Sequence, residues 1–258
     1  MKNIIITTII LTCFGVTAQA QNKGFRKYAH VKQFYKEISV DAIEVAKKHK
    51  LPAAAILAIA GLESGYGSGY VAQITGNILS LGAFKSDAEL PALYLPYSKS
   101  LKKILFDPKE IAKHNATDLS YKKRAKSYKR DYRPAPYAGT HNNLELLKYN
   151  PKLRREARYA CLNDFATRWI VKDSNIKAFR DAREYLDTLI KNDTTNNILY
   201  SMSANKGFIE RIGGIPHSFN YRETWPKKVE LIMNKTRLVE LVNDIENKHM
   251  SFKEAWEH

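Results

Sequence analysis

Pro52-Ala-Ala-Ala-Ile-Leu-Ala-Ile-Ala-Gly-Leu-Glu63-Ser64-Gly65-Tyr66-Gly67 decides how this chain is read. From Ala53 to Leu62 every residue is apolar or glycine. A helix that is apolar on all sides is a buried helix. Pro52 suits its first turn, and Gly65, Gly67 and Gly69 stop it. Glu63, the first charge in the stretch, therefore sits at the end of a buried helix. Partial burial raises a carboxyl pKa, and the negative end of the helix dipole also favours the protonated acid. A carboxyl that holds its proton near neutrality suits a general acid that protonates a leaving oxygen.

Working outward, Ser39 to Lys50 carries Val40, Ile43 and Ala46 with Lys47 and Lys48 late, an amphipathic helix with cations at its C-terminus. Residues 21–37 read as a basic, aromatic entry segment. Asn77 to Lys85 is short and partly β-like. Residues 87–150 are irregular and rich in Pro, Tyr and Lys. Within them Tyr121 to Arg133 holds seven cationic residues and one acidic one. Arg154 to Trp169 reads as a hairpin turning at Asn163-Asp164. Ile176, Phe179, Leu186, Leu189 and Ile190 fall at helical spacing. A last helix starts near Trp225-Pro226 and carries Val229, Ile232, Leu238, Leu241, Val242 and Ile245. No internal repeat or low-complexity linker interrupts the pattern. The expected class is α+β, mainly α, with a small β-hairpin lobe.

The N-terminus combines Met1-Lys2, an apolar run from Ile4 to Val16 and Ala18-Gln19-Ala20. That is the layout of a secretory signal peptide over residues 1–20, with the apolar run too short to span a membrane. Cleavage before Gln21 is expected, leaving a single domain over 21–258 with a basic insertion at about 87–150. The expected location is exported, either periplasmic or extracellular, with no transmembrane segment after cleavage. Of the two cysteines, Cys13 would leave with the signal, so Cys161 stands alone and no intramolecular disulfide is expected. The net charge is +16, and the signal removes only Lys2. Export turns that charge away from nucleic acid and toward an anionic envelope.

Several chemistries find no support. The glycine string after Glu63 follows a helix rather than a strand and lacks the spacing of a dinucleotide loop. The seven histidines show no HExxH spacing, and no GxSxG elbow is present. Neither a metal nor an organic cofactor is expected. Cys161 reads as a packed side chain. Tyr66, Tyr70, Tyr94, Tyr97, Tyr221 and Trp225 offer rings suited either to stacking on sugars or to core packing. The run with Lys122, Lys123, Arg124 and Lys126 is either a solvated face or a patch for anionic envelope polymers.

The stretch from Ala53 to Gly67 resembles the catalytic helix of the bacterial peptidoglycan endo-β-N-acetylglucosaminidase family, which includes flagellar and autolysin glucosaminidases. That family shows Ala-Leu-Glu-Ser-Gly-Trp-Gly here, with Tyr66 in place of its tryptophan. Asn77-Ile78-Leu79 is similar to its Asn-Leu-Phe segment, with Ser80 where glycine is usual. Asp173 to Asp181 resembles its Ser-x-x-x-Ser-Phe-x-Asp segment, with Ala178 for the second serine. Phe219 to Val229 is similar to its Tyr-Ala-Thr-Asp-x-x-Tyr-x-x-Lys-Val segment. The resemblance covers roughly residues 35–247 and implies a lysozyme-like fold. It also implies a hydrolase that cleaves the β-1,4 bond of peptidoglycan on the N-acetylglucosamine side. Glu63 would be the acid. Counting back from Trp169, the second carboxylate falls on Glu156. Tyr66, Asn77, Trp225 and Tyr221, or Phe219 in another register, would hold the sugar. The chain departs from the family in the long gap between Glu63 and Glu156. The excess lies in 87–150, which keeps Asp87, Glu89, Asp107 and Glu110 as rivals to Glu156. A lytic transglycosylase or muramidase shares the Glu-Ser helix end, and a non-catalytic cell-wall-binding protein remains an alternative of another class.

Overall fold

A computed structural model describes residues 24–124 and 131–258. The expected signal segment and Lys126 of the basic run lie outside the described residues. The fold is mainly helical with one small antiparallel sheet, 56% helix and 6% strand. The expected α+β class with a helical majority therefore holds at that level.

Helix α2 (Ala53–Ser64) is the axis of the core. Every residue from Ala53 to Gly61 is buried, as an all-apolar surface requires. Pro52 stands one position earlier than expected, at the cap. Burying the start of a helix leaves amide donors that need acceptors. The side chain of Asn205 meets one, taking the Ala55 amide at 2.8 Å, while its own NH₂ reaches Leu199 and Ser201 carbonyls. Asn205 belongs to α8 (Met202–Ile212), a helix the sequence reading did not name.

Around α2 pack α1 (Ala29–His49), α8, α9 (Trp225–Lys235) and α10 (Leu238–Glu246). Helix α1 begins well before Ser39, so much of the supposed entry segment is helical. It ends at Lys50 in the left-handed conformation. The last amphipathic run is two helices rather than one, because Arg237 adopts φ 53° between them. Arg26, in a short turn at Gly24–Lys27, is buried and donates to the Thr236, Arg237, Ala255 and Trp256 carbonyls. It thereby ties the start of the described chain to α11 (Phe252–Glu257).

The sheet is not where the sequence placed it. Arg154 to Trp169 forms no hairpin. It is α6 (Pro151–Asp164) continued by a π-helical turn over Phe165–Trp169. Asn150 caps α6 by accepting the Leu153 amide, and Pro151 fills its first turn. Ala157, Cys161, Leu162, Phe165 and Ala166 recur at helical spacing and are all buried. Asp41 of α1 takes a bidentate contact from Arg155, and Glu37 pairs with Arg158. Helix α7 (Lys177–Asn192) follows as expected.

The strands lie inside the supposed irregular insertion: β1 (Tyr94–Ser98), β2 (Lys103–Ile104) and β3 (Leu119–Lys123), in the order β2-β1-β3. Tyr97 pairs with Ile104 and with Ser120. Short helices α3 (Tyr70–Thr75), α4 (Pro108–Ile111) and α5 (Leu146–Tyr149) complete this side. Of the basic run, Lys122 sits 3.3 Å above the Tyr97 ring centroid and Arg124 pairs with Asp131.

Candidate active site

The turn after α2 is built to present Glu63. Gly65 closes the helix at φ 56°, and Tyr66 and Gly67 follow with φ 55° and 74°. Ser64 is buried and holds this turn: its hydroxyl donates to the Ala60 carbonyl at 2.5 Å and accepts the Gly67 amide at 2.8 Å. A side chain on Gly67 would approach the Phe34 ring at 2.9 Å. Replacing Ser64 with Ala removes the acceptor of the half-buried Gly67 amide. A hydrogen bond of this kind contributes about 0.5–1.5 kcal/mol. Urea unfolding of Ser64→Ala is expected to show a loss in that range, and an unchanged midpoint would refute this account of the turn.

Glu63 is partly buried, and one carboxyl oxygen accepts the Trp225 indole N–H at 2.7 Å. Burial pushes its pKa above the usual glutamate value, and the Trp225 hydrogen bond and the Arg222 charge pull it part of the way back. The cleft around it has a volume of about 180 Å³ and is lined by Leu62, Glu63, Asn220, Arg222, Thr224, Trp225 and Lys228. Glu63 is the single carboxylate among these. A neighbouring cleft of about 230 Å³ is lined by Phe84, Trp169, Ile176, Phe179 and Phe219, with Ser80 and Ser218 among its polar lining residues. Phe219 joins the two, its ring centroid 5.4 Å from that of Trp225. The segment between them is pinned by hydrogen bonds from Gly214 and Ser218 to the Asn220 carbonyl and from Phe219 to the Ile212 carbonyl.

No family model, curated protein or solved structure matches the chain.

The structure brings Glu63 and Trp225 together, but not in the expected way. Trp225 is 3% exposed, so its face is not open to a sugar. It packs over Gly213 and grips Glu63 instead. Glu156 does not face Glu63 from a hairpin. It stands on the solvent side of α6, its side chain 57% exposed and 4.0 Å from Lys152, and it lines neither cleft. Of its rivals, Asp107 caps α4 and Glu110 pairs with Lys103. Glu89 is exposed. Asp87 pairs with Arg168, whose guanidinium lies 4.9 Å from the Phe84 ring centroid.

Asn77 is buried and committed to backbone: its side chain bridges the Leu81 amide and carbonyl and also receives the Cys161 thiol. It shapes a turn and leaves nothing for a ligand. Cys161 is buried, with its thiol pushed up to about 12 by burial. Tyr66 packs edge-on against His30, Phe34 and Tyr35, and burial pushes its hydroxyl up to about 12. Tyr221 is 68% exposed and lines neither cleft, whereas Phe219, the other register, lines the second. Sequence reasoning missed Arg222 and Lys228. Their signal was present in the cationic spacing beside Trp225, but only the packing of α9 on α2 carries them to Glu63. Among the described residues no three His, Cys, Asp or Glu side chains gather as a metal site.

Proposed function

We propose that this protein is an exported glycoside hydrolase of lysozyme-like fold that cleaves the β-1,4 bonds of peptidoglycan on the N-acetylglucosamine side. One observation carries the reading: a single carboxyl with a raised pKa, fixed by an indole N–H, at the end of a buried helix and open to a cleft. Trp225 occupies one carboxyl oxygen, which leaves the other to deliver the proton. As the glycosidic C–O bond breaks, its electron pair goes to the leaving oxygen, and that oxygen takes the proton from Glu63. The anomeric carbon gains oxocarbenium character. The substrate's own acetamido oxygen closes on that carbon, since among the described residues no second carboxylate lines the cleft. Water then opens the ring and returns a proton to Glu63. The second cleft offers the half-buried Phe84 and Phe219 rings to a neighbouring sugar.

The solitary acid also supports a second reading, lytic transglycosylation, in which a substrate hydroxyl replaces water. Mass spectrometry of digested sacculi separates the two. Reducing N-acetylglucosamine ends are the expected product. Anhydro ends would establish the transglycosylase, and undigested sacculi would leave the non-catalytic wall-binding alternative.

A further inference from the structure

We infer that Arg222 and Lys228 form a carboxylate-recognition subsite beside Glu63, so that the cleft selects acidic saccharides over neutral ones of the same length. The inference rests on reading the Glu63 cleft as a glycan site, and it adds what that glycan must carry.

Three observations support it. Both cations line the same cleft as Glu63. Neither is in an ion pair among the described residues, although this chain engages most of its described arginines in ion pairs or hydrogen bonds to backbone carbonyls. Arg26 and Arg183 are taken up by backbone carbonyls. Arg155, Arg158 and Arg168 are taken up by carboxylates. Among the described residues the Arg222 guanidinium has the Tyr221 ring at 5.9 Å and acts on Glu63 through its charge, without a direct ion pair. The third observation is that the position is built. The Asn220 side chain accepts the Arg222 amide at 3.1 Å, and the Arg222 carbonyl accepts the Trp225 amide at 2.8 Å. The turn that carries Arg222 is thus locked to the residue that holds Glu63. Lys228 stands one helical turn into α9, whose N-terminal cap Thr224 lines the cleft without capping the helix through its side chain. The positive end of the helix therefore adds to the two cations.

When Glu63 carries its proton, the cleft holds two positive charges and no negative one. An anion is the occupant that such a cleft favours, and a planar guanidinium matches a carboxylate in two-point contact. N-acetylmuramic acid, whose lactyl ether carries a free carboxylate wherever the stem peptide has been removed, supplies that group, while chitin fragments do not.

The test uses the full chain with Glu63→Gln to stop turnover, and calorimetric titration with two probes. These are the disaccharide of N-acetylglucosamine and N-acetylmuramic acid, and neutral diacetylchitobiose. The acidic probe is expected to bind about tenfold tighter, equivalent to about 1.4 kcal/mol, with the advantage shrinking as salt rises. Adding Arg222→Gln and Lys228→Gln is expected to bring the two affinities together. Equal binding of both probes before those changes would overturn the subsite and leave the glycan reading intact. A preference that survives the double change would overturn the assignment to these residues. Binding of neither probe, with undigested sacculi, would overturn both readings.

Discussion

Glu63→Gln is expected to lower the digestion of sacculi by about 10²-fold or more while the protein stays folded. Gln keeps the size of the side chain and an oxygen that can accept the Trp225 indole N–H, but it has no proton to transfer. The contribution of a positioned general acid is about 10²–10⁴-fold. The same change is expected to stabilise the protein at neutral pH. Burial raises the Glu63 pKa in the folded chain above its value in the unfolded chain. The folded state therefore prefers the protonated form. The stability associated with that form is complete below the unfolded pKa and is lost as pH rises through the folded one. Gln does not ionise, so the melting temperature of the variant should exceed that of the wild type at pH 7. The gap should close in acid, where wild-type Glu63 is protonated too. Near wild-type digestion by the folded variant would remove Glu63 from the chemistry. A gap independent of pH would show that burial of the charge is not its cause.

What the sequence reveals and conceals follows from where the information sits. Helix α2 was legible because an apolar surface on all sides has one stable solution, and it is written in consecutive residues. The end of that helix was legible for the same local reason, since Gly65 and Gly67 adopt the left-handed backbone that stops it. Helix α6 was misread because Asn163-Asp164 looks like a turn and aromatics flank it. The decisive pattern, Ala157, Cys161, Leu162 and Phe165, has small or sulfur-bearing members that carry a weak hydrophobic signal. The partners of Arg155 and Arg158 lie on α1, far away in sequence.

The sheet was hidden by Pro96 in its central strand. Proline is tolerated there because its carbonyl points toward β2 and accepts the Leu105 amide, and its nitrogen points the same way. The pair with Leu105 is therefore one-sided, and because the β2 ladder covers only Tyr97 and Ser98, the single missing bond falls at its end. The carboxyl at the end of α2 was legible in the sequence; its surroundings were not. Trp225, Arg222 and Lys228 reach Glu63 through helix packing, which no local pattern encodes.

That packing sets up the second large effect. Trp225→Phe is expected to reduce turnover by about ten- to a hundredfold, the scale on which misplacing a reacting group acts, and to move the alkaline limb of the rate profile to higher pH. Phenylalanine fills most of the space over Gly213 and beside Phe219 but donates nothing to the Glu63 carboxyl. The indole hydrogen bond favours the ionised carboxylate and lowers the Glu63 pKa, against the larger upward push of burial. Without it the pKa rises further. A general acid works only while protonated, so activity falls as pH climbs past that pKa. A higher pKa therefore extends activity toward alkaline pH even as the maximum drops. The two movements have separate causes: the drop reflects a carboxyl free to rotate away from the glycosidic oxygen, and the shift reflects a lost donor. A purely structural role for Trp225 would lower the melting temperature and leave the limb in place. Rates measured across pH, well below the melting transition of the variant, decide between them. An unmoved or acid-shifted limb would mean that Trp225 does not tune Glu63.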